Sequence, residues 1–318
     1  MTRRRYRPAY TTDEGDPAKK RLVFDIQSAK LEPTDRSIIA LVACPLQKGV
    51  AAAITQFVYQ RGGTIKDYDQ YVNTDSRRFF ARMEWTRGGD ASSQDNICRD
   101  FIAELVEPYD MEWQLHFPEH GARVAICVTR ELAHLYDLLL RTISGQWNAT
   151  IALIISNHPD LAPEAERFGI PYHYFPLNKA NKREQEALQV DLLQQNKIDL
   201  VVLARYIQIV SEAFITPFEN RIINIHHSML PAFVGAKPYH QAHARGVKLI
   251  GATSHYVTVE LDAGPIIAQD VLQVDHKKSP ERLISMGRDL ETKVLARAVG
   301  LHLNRRVWID QGRSIIFD

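Results

Sequence analysis

Cysteine is scarce in this chain. The 318 residues contain three, Cys44, Cys98 and Cys127, far apart and without a CxxC spacing, which excludes a disulfide framework and gives no zinc site. They read as packed free thiols in a reducing cytoplasm. An excess of charge of one sign is missing too: 39 Lys and Arg stand against 38 Asp and Glu, so neither a nucleic acid nor a membrane surface is called for as a partner. No apolar run approaches the roughly 20 residues of a membrane span. Basic clusters occur only near the start, Arg3-Arg4-Arg5 and Lys19-Lys20-Arg21, but no apolar core follows the arginines, and Asp13, Glu14 and Asp16 do not suit a transit peptide. Residues 1–36 are expected to form a polar extension, at least partly disordered, with Leu22-Val23-Phe24 docking locally. No internal repeat or low-complexity tract appears.

The length suits two domains. Residues 37–118 follow the order strand, helix, strand, strand, helix, strand. Ile38–Cys44 is an apolar strand, and Val50–Gln60 carries Val50, Ile54, Phe57 and Val58 at helical spacing before Gly62-Gly63. Thr64–Val72 and Phe79–Trp85 alternate around the turn Asn73-Thr74-Asp75-Ser76; Gln94–Val106 is helical and Met111–Phe117 extended. This is the ferredoxin-like βαββαβ plan. From residue 121 to 318 strands and helices alternate: Arg123–Val128, Leu132–Ile143, Ile151–Ser156, Leu161–Phe168, Pro171–Tyr174, Lys182–Gln195, Leu200–Ala204, then a long helix from Ser279-Pro280. The class is α/β, a Rossmann-like, mostly parallel sheet whose ligands bind outside the carboxyl ends of its strands.

Within that second domain Asn224-Ile225-His226 places an amide and an imidazole on one face of an extended segment, and Asp262 follows in Leu261-Asp262-Ala263-Gly264-Pro265. An amide donor, a proton-moving ring and a carboxylate to orient it suit chemistry at a carbonyl. His227 points to the opposite face if the strand stays regular, where packing accounts for it in part. Taken singly, His226 would more often be a satisfied structural histidine, and turn aspartates usually cap backbone amides. A zinc site from His226, His227, His240, His243 and His255 lacks a matched ligand spacing, so no metal is expected.

The runs Asn224-Ile225-His226-His227-Ser228-Met229-Leu230-Pro231, Gly235-Ala236-Lys237-Pro238-Tyr239, Gly251-Ala252-Thr253 and Asp262-Ala263-Gly264-Pro265 resemble the folate-dependent formyl-transfer superfamily, and within it the formyltetrahydrofolate deformylases. The resemblance spans roughly residues 37–318. It implies hydrolysis of 10-formyltetrahydrofolate to formate, with Asn224, His226 and Asp262 catalytic and the folate as substrate rather than cofactor. For the substrate it implies Arg205, Tyr206, Ile207, Gln208, Ile209 and Val210 around the pterin, with His227, Gly235, Lys237 and Gly264 nearby. Two readings stand for Lys237, a contact to the glutamate tail or a solvated surface group.

Residues 37–118 resemble an ACT module, a regulatory or oligomerisation domain, which points to a homo-oligomer, a dimer or tetramer. The family's charged first turn is replaced here by Cys44-Pro45-Leu46-Gln47-Lys48-Gly49, which favours assembly over amino-acid binding. The turn Thr129-Arg130-Glu131-Leu132 has no glycine with which to cradle a phosphate, as the resemblance would require of a glycinamide ribonucleotide formyltransferase. An amine-using formyltransferase, or a non-catalytic amino-acid or folate sensor, are the alternatives.

Overall fold

The computed structural model describes residues 9–13, 16–23, 37–87, 93–118, 121–231 and 238–318. It falls into two compact units, Met1–Leu31 with Ala122–Gly300, and Glu32–Gly121 with Leu301–Asp318. In the expected extension, Ala9–Asp13 (β1) and Asp16–Val23 (β2) pair as an antiparallel hairpin. The rest of that extension, Phe24 included, lies outside the described residues.

The front unit carries Ser37–Pro45 (β3), Thr64–Asn73 (β4), Arg78–Thr86 (β5) and Glu112–His116 (β6) in one antiparallel sheet of order β4-β5-β3-β6. Helices Val50–Gln60 and Gln94–Phe101 supply the two crossovers of the ferredoxin-like plan. Strand β3 is buried over all but its last residue, on both faces. Ile38, Ala40, Val42 and Cys44 pack with Ile54, Phe57 and Phe101 in one cluster. The alternate residues Ile39, Leu41 and Ala43 pack with Phe80, Trp308 and Phe317 in another.

The second unit holds a seven-stranded sheet, Ala122–Val128 (β7), Ala149–Ser156 (β8), Tyr172–Tyr174 (β9), Leu200–Ala204 (β10), Ile222–His226 (β11), Leu249–Tyr256 (β12) and Ile266–Gln273 (β13), in the order β13-β12-β11-β10-β7-β8-β9. Pairings from β9 to β11 are parallel, and β12 and β13 add antiparallel strands. Every residue of β10 is buried, as a parallel strand covered on both faces requires. Strand order reverses between β7 and β10, so a crevice opens at their carboxyl ends. There Thr129 accepts from the backbone N–H of Ile207 at 3.1 Å and donates to Asn157 at 3.1 Å. Among the described residues, no helix is long and apolar enough to cross a membrane.

Residues 301–318 correct the expected boundary. Sequence rhythm assigns them to the second domain, but Val307–Asp310 (β14) and Arg313–Ile316 (β15) form a hairpin that belongs to the front unit. The physical reason is the second face of β3, which needs Trp308 and Phe317 to leave water. Arg82, 1% exposed, fixes the joint. Its guanidinium donates to Asp67 at 2.6 Å and Glu84 at 2.8 Å, and to the carbonyls of Asn304 and Arg305 at 3.1 Å each. Arg306 donates to the same Asp67 oxygen at 2.7 Å.

Replacing Arg82 with alanine strands Glu84 and two carbonyls at once and leaves Asp67 to Arg306 alone. Because those carboxylates keep part of their hydration, the expected loss sits at the lower end of the range for a broken buried pair, about 3 kcal/mol in urea unfolding. Arg82→Lys should recover little, since one ammonium cannot span four acceptors in fork geometry. Wild-type stability in either variant would refute this role.

Candidate active site

Strand β11 lies between parallel β10 and antiparallel β12. Leu203 pairs with Asn224 on one side; on the other, Asn224 faces His255 and His226 faces Thr253. Directly opposed residues share a face, so the register alone gathers Asn224, His226, His255 and Thr253. Asp262 arrives from the turn between β12 and β13. It takes φ 55°, a left-handed conformation that aspartate tolerates better than most residues. Gly264 closes that turn against β12: a Cβ there would be driven into the carbonyl oxygen of Tyr256.

His226 Nδ1 lies 3.2 Å from Asp262 Oδ2. The carboxylate therefore holds the proton on Nδ1 and leaves Nε2 bare; Nε2 is buried and has no hydrogen-bond partner among the described residues. Burial holds the His226 pKa below the ordinary 6.5, outweighing the opposing pull of Asp262. The ring is neutral at pH 7, and its unshared nitrogen is ready to accept a proton.

His255 ties the remaining groups together. Its Nδ1 donates to the Tyr256 carbonyl at 2.8 Å, and its Nε2 accepts from Asn224 Nδ2 at 3.3 Å. The amide has a second N–H, which that contact aims but does not consume. Asp262 Oδ1 lies 3.6 Å from the same Nε2. The approach of the His255 ring is the largest effect holding Asp262 below the usual carboxylate range, set against the cost of burial. The sequence offered no motif for His255 beyond its histidine count, because the register that makes it a neighbour of Asn224 is a tertiary fact.

His227 departs from the expected opposite face. Its ring lies parallel to that of His226, centroids 5.0 Å apart and planes 15° apart. Strand β11 ends at His226, so alternation no longer applies one residue later. Burial, then the neighbouring His226 and Arg205, push the His227 pKa down to about 4. The segment beyond is pinned by buried Thr253, which donates to the Ser228 carbonyl at 2.9 Å and accepts from Leu230 N–H at 3.0 Å.

The expected pterin segment divides. Tyr206 and Val210 join the core beneath the sheet, Gln208 is half-buried, and Ile207 and Ile209 project outward at 69% and 62% exposure, leaving an apolar rim at the crevice. Arg205, at φ 60°, turns its guanidinium to Glu291 at 3.1 Å. Gly235 and Lys237 lie outside the described residues. Among those described, no three His, Cys, Asp or Glu side chains form a group able to hold a metal ion.

Residues 122–299 match the formyl transferase family. A formyltetrahydrofolate deformylase of Synechocystis sp. is 48% identical over 277 residues, 87% of this chain and 97% of that protein. The crystal structure of a formyltetrahydrofolate deformylase from Burkholderia mallei aligns with a TM-score of 0.83 at 41% identity, covering 89% of this chain and 100% of the other. A glycinamide ribonucleotide transformylase of Symbiobacterium toebii aligns with a TM-score of 0.59 at 31% identity, over 64% of this chain and 98% of its own.

Gly264→Ala tests the geometry. The Tyr256 contact forces the turn away and carries Asp262 off His226, so turnover should fall about a hundredfold, the usual consequence of an ångström's misplacement. Steady-state kinetics beside a thermal melt separate this from unfolding, and unchanged kinetics would disprove the constraint.

Proposed function

The chain belongs to the formyltetrahydrofolate deformylases, and from that premise we propose how its own residues hydrolyse 10-formyltetrahydrofolate to formate and tetrahydrofolate. The observation that carries the proposal is the bare, buried Nε2 of His226 set opposite the Asp262 contact. Water attacks the formyl carbon, forming a C–O bond while His226 Nε2 takes the proton. Asp262 holds the resulting imidazolium, and the second N–H of Asn224 donates to the developing oxyanion. The tetrahedral species then breaks its C–N bond, and the imidazolium returns the proton to the departing N10. Formate leaves. His255 acts through Asn224 and is a positioning residue, not a catalytic one.

Folate binding in this proposal uses the apolar rim of Ile207 and Ile209 and backbone groups of the Arg205–Val210 segment. The reaction as written calls for no cofactor and no metal. We further propose that the front unit is an ACT-like assembly module, with chains meeting through its edges: β4, the outer strand, leaves Ile65 and Tyr71 exposed. Three free cysteines, two of them buried, favour the cytoplasm.

Purified protein given 10-formyltetrahydrofolate and no amine should release formate stoichiometrically with tetrahydrofolate; turnover only with an added amine would make it a transferase. Asn224→Ala, His226→Ala and Asp262→Ala should each lose on the order of 10²–10⁴ in kcat while folding normally. His255→Ala should lose less, through a misaimed amide, and near-wild-type turnover in the Asp262 variant would end this assignment.

The pH profile has a definite sign. His226 must be neutral to act, and its pKa is lowered. Thus kcat/KM should be flat above the ordinary histidine range and fall only as pH drops through the lowered value. An acid limb centred above 6.5 would contradict the burial argument. Light scattering on the full chain checks the assembly, and a monomer would dismiss the module's proposed role.

A further inference from the structure

Beside the reacting groups lies a cluster of polar side chains, three buried and one half-buried, that take no step in the reaction above. Arg205 comes from the turn after β10, Glu291 from the Pro280–Leu303 helix, Tyr239 from the Pro238–Ala244 helix and His134 from the Leu132–Ile143 helix. Glu291 and His134 expose none of their surface and Tyr239 only 6%. Arg205 Nη1 donates to one Glu291 oxygen at 3.1 Å, the Tyr239 hydroxyl donates to the other at 2.6 Å, and His134 Nε2 stands 3.7 Å from the first. Tyr239 lies so close over the Pro280–Leu303 helix that a side chain at Gly287 would collide with its ring.

The cluster abuts the reacting dyad. Leu203 pairs with Asn224, which brings Arg205 level with the end of β11. The Tyr239 ring lies 6.4 Å from the ring of His227, which in turn stacks on His226. Arg205 is also among the charges felt by His227. A staple whose only work was stability would be an odd choice here. Arg205 occupies a left-handed φ of 60°, where glycine is favoured, and its Nε and both ring nitrogens of His134 have no hydrogen-bond partner among the described residues. Buried ion pairs commonly return no more stability than apolar residues of the same volume. What the cluster does accomplish is to back His227, whose ring covers one face of the His226 imidazole.

We infer that Arg205, held by Glu291 and Tyr239, is a specificity-determining residue: together with His227 it closes the space beside His226 to an amine acceptor and reserves the reaction for water. This rests on the hydrolase reading and deepens it. The seven-stranded fold does not choose the acceptor, because a glycinamide ribonucleotide transformylase shares it. The choice must therefore come from side chains that shape the approach to His226. Water needs only the gap around Nε2, whereas an acceptor bringing carbon with its nitrogen needs the volume now held by the guanidinium and the two rings.

Glycinamide serves as the probe, and the readout is the ratio of formylglycinamide to formate, measured by mass spectrometry. The wild-type protein should release formate alone at every glycinamide concentration. Arg205→Gly combined with Glu291→Gln removes both charges together, so neither is left buried and unpaired, and glycine suits the left-handed φ. Opening a cavity of this size should bring formylglycinamide from below detection in the wild type to at least about tenfold above the detection limit, the scale on which small steric changes discriminate substrates. If that pair does not fold, His227→Ala opens the same face and should move the ratio in the same direction. A ratio that stays at the wild-type value while formate release persists overturns the inference. So does formylglycinamide made by the wild-type protein, or a folded variant that yields neither product, since the cluster would then belong to the chemistry. Failure of the hydrolase reading looks different: wild-type protein releasing no formate without an amine.

Discussion

The ladder between β11 and β12 sets Asn224 against His255 and His226 against Thr253, and the rest of the site hangs from that register. A slip of one residue would turn the slipped strand's pair of side chains to the opposite face and part it from the other pair. The ladder is fixed from both directions. Strand β11 is held on its other edge by β10 in parallel pairing, and Ser254 donates to the Asn224 carbonyl at 2.9 Å. With the frame rigid, two local contacts finish the work: a carboxylate chooses the tautomer of His226, and an imidazole aims the amide of Asn224. Neither contact has to move during the reaction as proposed, so polar groups face the developing charge without reorganising.

Burial acts on these groups in two ways. It strips water from His226 and lowers its basicity, while Asp262 partly restores it. A fully solvated histidine with the same partner would be more basic and would spend more of its time protonated, unable to accept a proton. The same lack of water raises the energy of any unpaired charge nearby, which is why Glu291, fully enclosed, is met by Arg205 and Tyr239.

Much of this is legible in the chain. The βαββαβ front, the alternation that follows and the shared face of Asn224 and His226 are local patterns, and local patterns survive without tertiary knowledge, whereas Asp262 joins them only through the family resemblance. The losses share a cause. Strand β12 is hard to see because Thr253, Ser254 and His255 are polar yet nearly or wholly buried, so no apolar period marks it. His227 follows the strand rule only while the strand lasts. The expected pterin segment mixes inward and outward residues because a turn carries no single period. Least visible is the allegiance of β14 and β15, whose Trp308 and Phe317 answer a requirement set by β3, some 270 residues earlier.

That last pairing has a consequence for how the molecule is made. The front unit is discontinuous: its sheet lies in Glu32–Gly121, its covering hairpin in Leu301–Asp318, and the stretch Ala122–Gly300 of the other unit comes between them. During synthesis the catalytic sheet can close as soon as its own strands emerge. The front sheet must wait with one apolar face uncovered until the final hairpin leaves the ribosome. Loss of the hairpin over residues 307–316 would thus spare Asn224, His226 and Asp262 and still leave an apolar face of β3 open to water.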